Sequence, residues 1–138
     1  MIAHTEWKSG ELFEGVSENG NTILIDADGA HADGPGPLEV VLMALCACTS
    51  VDVVSILKKK RQALTGLRVS AAAVQAEKPP RVFTKIKLTY AVSGKLSRKA
   101  VEHAVSLSKN SYCSVSKMLE KAAEIDYEIV FVDGEPEP

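Results

Sequence analysis

Residues 38–64 read LEVVLMALCACTSVDVVSILKKKRQAL, a stretch without Gly or Pro that opens directly after Pro37. Proline is favoured where a helix begins. Lys58, Lys59, Lys60 and Arg61 stand near the far end, where cations complement the helix dipole, and Gly66 offers a C-terminal cap. The pattern predicts one long helix from Leu38 to about Leu64. Over residues 40–48 it is apolar on nearly every side, so it must be buried on most sides. A chain of 138 residues has little else with which to cover such a helix, and an intertwined homodimer is expected. The apolar run from Val40 to Cys48 is bounded by Glu39 and Thr49 and reaches about half-way across a bilayer, so no membrane span is predicted.

The flanking segments fix the class. Ile2–Lys8, Glu11–Val16 and Asn21–Asp26 are β-compatible runs separated by Ser9-Gly10 and Glu18-Asn19-Gly20, an antiparallel meander. Asp28–Pro37 is a Gly- and Pro-rich loop. After the helix come two longer strands, Arg68–Glu77 and Val82–Val92, joined at Pro79-Pro80. Two further helices follow: one from Ser97, a plausible N-cap, to about Ser108, and one from Ser114 to about Ala123, capped by Asn110 or Ser111. A last strand, Ile125–Val132, precedes the acidic tail 133–138, expected to be mobile. The order βββ-α-ββ-αα-β predicts an α+β fold in a single domain, residues 1–138.

Composition narrows the function. With 46% hydrophobic and 25% charged residues the chain is a globular domain, and chains of this length bury roughly 68% of their unfolded surface. Aromatic residues are only 5%, so aliphatic side chains must fill the core. Three cysteines cannot staple a domain of this size, and no basic–apolar–cleavage pattern opens the chain; a reducing, cytoplasmic location is expected. The net charge of −2 hides a segregation. Acids dominate up to Leu57, where Lys8 is the lone Lys or Arg, and Lys and Arg dominate from Lys58 to Glu124. The acidic part is large enough to neutralise the basic one, so complementary packing is expected and nucleic-acid binding is not. No phosphate loop, dinucleotide fingerprint or Ser-His-Asp order is present.

The cysteines carry the chemistry. Cys46 and Cys48 are separated by about 200° of helical rotation and cannot pair with each other. Cys48 shares a face with Val41, Ala44, Leu45, Asp52 and Ser55, and Cys46 shares one with Glu39. Cys113 opens the last helix, where free N–H groups and the dipole favour a thiolate. Three readings are open. The thiols can all be small buried hydrophobes. They can form a zinc site with His4, His31 or His103, against which stand the opposed faces of Cys46 and Cys48 and the lack of ligand spacing. Or one helix cysteine and Cys113 form a redox couple. Asp52, one turn after Cys48, is a candidate for binding a substrate or cation, and also for capping or salt-bridging. Ser111 and Tyr112 flank Cys113 and can line the same pocket. His103 reads as structural.

The stretch from Gly36 through Pro37 to Cys48-Thr-Ser50 resembles the first signature of the OsmC/Ohr family of thiol peroxidases: a Pro-initiated long helix bearing a reactive cysteine about eleven residues later. Tyr112-Cys113-Ser-Val-Ser116 resembles the second signature. Asp52-Val-Val-Ser-Ile-Leu57 and Met118-Leu-Glu-Lys-Ala122 look like the YhfA-type OsmC-like branch. The resemblance implies an OsmC-like fold, with antiparallel sheets around a long central helix, and an intertwined homodimer with active sites at the subunit interface. It further implies Cys48 as the peroxidatic thiolate, Cys113 as the resolving thiol, a peroxide substrate (an organic hydroperoxide or hydrogen peroxide), and an external dithiol as reductant, with no cofactor or metal. Cys46 matches no family catalytic position.

The sequence departs from that family at one pair. Family peroxidases carry a Glu ten residues before the reactive Cys, paired with an Arg from the N-terminal region. Here position 38 is Leu, Glu39 falls one residue later, and the first Arg is Arg61. Local electrostatics makes Cys113 the more acidic thiol, while the resemblance puts Cys48 first. The expected function is thiol-dependent reduction of organic hydroperoxides in oxidative-stress defence. The alternatives are a non-catalytic member that binds a small hydrophobic ligand or senses oxidation, and a thioesterase-like fold around a central helix.

Overall fold

The computed structural model describes residues 1–138. Its mixed α+β architecture is the class expected from the sequence. The chain resolves into two compact units, Met1–Met43 and Ala44–Pro138, with helix α1 (Pro37–Lys59) running from one into the other.

In the first unit, β1 (Ala3–Ser9), β2 (Leu12–Ser17) and β3 (Thr22–Asp26) form the anticipated antiparallel meander. Its turns use Gly10 and Gly20 at φ of 51° and 83°, left-handed values that glycine adopts without a Cβ penalty. The loop after β3 is held by Asp26, only 5% exposed, whose carboxylate accepts the Asp28 and Asp33 N–H groups at 3.0 and 3.1 Å. A buried carboxylate needs such partners. Ion pairs in this unit are exposed or half-exposed, such as Lys8–Glu14 at 3.6 Å, and contribute little.

In the second unit, β4 (Ala63–Gln75) and β5 (Phe83–Lys95) are antiparallel, and β6 (Glu124–Phe131) runs parallel to β5, in the order β4-β5-β6. A parallel return needs a crossover, which α2 (Arg98–Leu107), a π-helical turn (Ser108–Tyr112) and α3 (Ser114–Leu119) supply. Along β5 the alternate residues Ile86, Leu88, Tyr90 and Val92 are buried. They form one core with Leu45, Val53 and Leu57 of α1, Val101, Ala104 and Val105 of α2, and Ile125 of β6. Tyr90 meets Tyr127 edge-on, ring centroids 6.1 Å apart.

Several boundaries differ from the expectation. Helix α1 stops at Lys59 and not near Leu64, because Arg61 takes a left-handed φ of 56° and closes the helix. Arg61 N–H donates to the Lys58 carbonyl at 3.0 Å and Gln62 N–H to the Leu57 carbonyl at 2.9 Å, the paired bonds of a Schellman motif. Gly66, expected as the cap, lies in β4, which begins at Ala63. Ser97 caps α2 as expected, its hydroxyl accepting the Ala100 N–H at 3.4 Å. The cap of α3 is neither Asn110 nor Ser111 but Cys113 itself, whose sulfur accepts the Ser116 N–H at 3.4 Å. Residues 133–138 carry several bonds: Arg98 N–H donates to the Glu137 carbonyl at 2.7 Å, Ser97 Oγ to the Pro138 carbonyl at 3.0 Å, and the Arg98 guanidinium pairs with Glu135 at 3.1 Å while stacking over Phe131 at 4.9 Å.

Helix α1 is long and apolar enough to cross a bilayer by length and composition. Its residues Leu45, Thr49, Val53 and Leu57, four apart, are buried within the chain, whereas Met43, Val51 and Val54 on other faces are exposed.

Candidate functional site

The site lies in the Ala44–Pro138 unit, where the middle of α1 meets the π turn and the start of α3. All three cysteines are free. Cys48 is half-buried on α1, Cys113 is fully buried, and Cys48 lies near enough to raise the Cys113 thiol. Cys113 gets there because the π turn closes onto it: its N–H donates to the Ser108 carbonyl at 2.8 Å, a bond spanning five residues in place of the α-helical four.

The first turn of α3 does not make Cys113 acidic. Burial dominates and pushes its thiol up to about 11, opposed by the Ser116 N–H bond and reinforced by Cys48 and by the negative charge of Asp52. A six-residue helix offers a small dipole, and full burial outweighs it. The reading of Cys113 as the more acidic thiol is thereby corrected. Cys46 is half-buried, its thiol raised by burial, and its carbonyl accepts the Ser50 hydroxyl at 2.6 Å.

Asp52, one turn beyond Cys48, is half-buried and accepts a 2.8 Å hydrogen bond from Ser108 Oγ. Ser108 also lies 2.7 Å from Thr49 Oγ1, which lies 2.7 Å from the Tyr90 hydroxyl. Tyr90, Thr49 and Ser108 are all inaccessible to solvent. A carboxylate only accepts, and Ser108 has one proton. Thr49 therefore donates to Ser108, and Tyr90 donates to Thr49. Burial, foremost, and the neighbouring Cys113 and Cys46 thiols push the Tyr90 phenol up to about 12, against the Thr49 bond. None of these three hydroxyl residues was singled out from the sequence. The one available signal was Thr49, a polar residue on the every-fourth stripe of Leu45, Val53 and Leu57.

Beside this network is a cavity of about 670 Å³ lined by Asp52, Ile56, Leu107 and Tyr112, together with Lys59 and Lys60. Tyr112 is 60% exposed; Ser111 is exposed and does not line the cavity. Glu39, expected from the sequence as a binding residue one position from the family glutamate, is engaged at the start of α1. Its carboxylate accepts the Gly36 N–H at 3.0 Å, the reach-back half of a capping box, and lies 3.7 Å from His31 Nε2. The structure thus brings together Cys48, Cys113 and Asp52, with Tyr112 on the adjoining wall. His103 is exposed on α2, and no group of three or more His, Cys, Asp or Glu side chains is arranged to hold a metal ion.

Comparison with known proteins gives the family. Residues 30–128 match the family model described as OsmC-like protein. Protein YhfA of Escherichia coli K12 is 44% identical over 133 residues, covering 94% of this chain and 98% of its own. The crystal structure of an OsmC-like protein from Mycoplasma pneumoniae superposes with a TM-score of 0.83 at 17% identity, covering 95% of this chain and 96% of that one. That of an organic hydroperoxide resistance protein OsmC from Legionella pneumophila gives 0.70 at 14%, covering 94% and 95%. These two likenesses establish the fold, and the family match and the 44% identity establish more: the chain belongs to the OsmC-like protein family.

Proposed function

We propose that the protein is a cytoplasmic, homodimeric thiol peroxidase that reduces organic hydroperoxides through Cys48 and Cys113. The observation that carries this is a half-exposed thiol on α1 close enough to a buried one at the start of α3 to influence it. The accessible Cys48 attacks first. Its thiolate attacks one peroxide oxygen, the O–O bond breaks, and the departing alkoxide takes a proton to leave as an alcohol, with Cys48 now a sulfenic acid. The Cys113 sulfur then attacks the Cys48 sulfur; the S–S bond forms, the S–O bond breaks, and hydroxide leaves with the Cys113 proton as water. An external dithiol supplies the two electrons that reopen the disulfide and becomes a disulfide itself. The name of the Legionella protein, an organic hydroperoxide resistance protein on the same fold, supports this substrate class. The exposed apolar residues Met43, Val51 and Val54 of α1 support a second copy of the chain as its cover.

The test follows free thiols in the reduced protein exposed to cumene hydroperoxide, in wild type, Cys48→Ser and Cys113→Ser. Wild type should lose two thiols, Cys48→Ser none, and Cys113→Ser should accumulate a trappable sulfenic acid. A wild type that loses thiols no faster than the unfolded chain would end this reading. Protection by Cys113→Ser alone would exchange the two roles.

One observation favours a second reading, a non-catalytic ligand binder. The charge nearest the thiol pair is the Asp52 carboxylate, which disfavours a thiolate, and the adjoining cavity of about 670 Å³ has the size of a small-molecule site. Peroxide-inert thiols together with saturable binding of a small hydrophobic ligand would select it.

A further inference from the structure

Four residues link α1 to the π turn beside the thiol pair. Cys48 and Asp52 are one helical turn apart on α1. Asp52 accepts from Ser108 Oγ at 2.8 Å. The Ser108 carbonyl accepts the Cys113 N–H at 2.8 Å, which seats Cys113 on the same tie. Each thiol is thereby anchored to one end of a single charge-assisted hydrogen bond.

Alternatives for Ser108 are poor. Thr49 Oγ1, at 2.7 Å, donates to Ser108, and the Thr49 carbonyl, at 3.5 Å, is at the limit of a useful bond. The Ser108 proton therefore goes to Asp52, and the Tyr90–Thr49–Ser108 chain points one way, toward the carboxylate. Charge-assisted bonds are roughly twice as strong as neutral ones, and this one joins two segments 56 positions apart in sequence. A bond made by packing alone would not require a carboxylate at that spot.

Resting on the Cys48–Cys113 couple proposed above, we infer that Asp52 and Ser108 are positioning residues for disulfide formation: their hydrogen bond ties the π turn to α1 and holds Cys113 where it captures oxidised Cys48. The tie acts on the second step. Without it Cys113 spends less time in reach, and the Cys48 sulfenic acid is exposed to further peroxide, which converts it to a sulfinic acid by a second oxygen transfer and releases a second alcohol. The Asp52 charge disfavours a thiolate at Cys113, so its role there is to hold Ser108.

The experiment uses the full-length protein as wild type, Ser108→Ala, Asp52→Ala and Asp52→Asn. Each is equilibrated in reduced and oxidised glutathione mixtures, and the disulfide fraction is read by maleimide gel shift. Ser108→Ala and Asp52→Ala should make the disulfide about tenfold harder to form, whereas Asp52→Asn, which keeps an acceptor oxygen, should stay within about threefold of wild type. In a second arm, cumene hydroperoxide should raise the ratio of Cys48 sulfinic acid to disulfide by about tenfold in the first two variants. Circular dichroism checks folding, and the half-buried Asp52 variants carry the test if Ser108→Ala does not fold. Disulfide equilibria within twofold of wild type in both Asp52→Ala and Ser108→Ala would overturn the inference. A wild type that oxidises in glutathione and ignores peroxide removes the peroxidase reading and leaves the tie standing. A wild type with no disulfide under either oxidant overturns both.

Discussion

The order in which the two thiols react can be tested on single-cysteine proteins. Consider Cys46→Ser/Cys48→Ser, in which Cys113 is the remaining thiol. Burial holds that thiol near 11, against about 8.5 for a free cysteine. At pH 7.5 roughly one Cys113 in 3,000 is a thiolate, compared with roughly one in ten for a free cysteine, a deficit of about 300-fold. A more basic thiolate is intrinsically more nucleophilic, with a Brønsted slope of about 0.4–0.5, which restores about tenfold. Iodoacetamide, followed by intact mass, should therefore modify Cys113 about 30-fold more slowly than a free cysteine, before its inaccessibility slows the reaction further. Removing Cys48 lifts two of the smaller upward influences, so the deficit can shrink by a few-fold but not vanish, because burial is the largest. The rate should climb steadily from pH 7.5 toward 11. Cys48 in the Cys46→Ser/Cys113→Ser protein should react faster at neutral pH, because it is the accessible member of the pair. A Cys113 that reacts within threefold of a free cysteine, or whose rate levels off below pH 9, would refute the burial argument and make Cys113 the attacking thiol.

Three further outcomes follow from the same structure. Cys113 and Tyr90 titrate higher in the folded chain than the ordinary values of about 8.5 and 10, so their protonated forms stabilise the fold. That contribution is complete below about pH 8.5 and is lost as pH climbs through about 11 and about 12, which urea midpoints measured from pH 7 to 12 should display as a decline confined to the alkaline limb. Thr49→Val strands the buried Tyr90 hydroxyl and should cost about 2–3 kcal/mol, Tyr90→Phe about 1 kcal/mol, and the double variant should recover about 1 kcal/mol relative to their sum; strict additivity in urea unfolding would dissolve the chain of hydroxyls. Arg98→Ala removes the ion pair to Glu135 and the stack over Phe131, and should cost about 0.5–1 kcal/mol while accelerating amide exchange in residues 133–138; unchanged exchange there would mean that the tail is held by its backbone bonds alone.

Much of the fold was legible because it is written in local chemistry. Pro37 opens α1, Ser97 caps α2, and the Gly10 and Gly20 turns divide the first three strands. What escaped depends on conformations that side-chain pattern does not announce. Arg61 in a left-handed conformation ends α1 where a glycine was awaited, and the π turn at Ser108–Tyr112 has no compositional signature. Of the candidate site, the two cysteines and Asp52 were legible as chemistry-bearing residues at suggestive spacing. The hydroxyl chain was not, since Tyr90, Thr49 and Ser108 come from three elements and meet only after folding. Cys113 misled because a helix start implies acidity, whereas the degree of burial that reverses it is a tertiary property.

The π turn also turns chain length into a switch. It is in effect a one-residue insertion between α2 and α3, and a deletion within Lys109–Tyr112 would let the segment relax to an ordinary α-helix. Each residue removed swings everything downstream by about 100° and draws it back by about 1.5 Å along the axis. Cys113 would then leave the Cys48 face while every residue needed for chemistry was still encoded. Comparing related chains by the presence of two cysteines would miss this: the spacing between Ser108 and Cys113 must be counted as well, because a pair of thiols with one residue too few between the helices is two isolated cysteines.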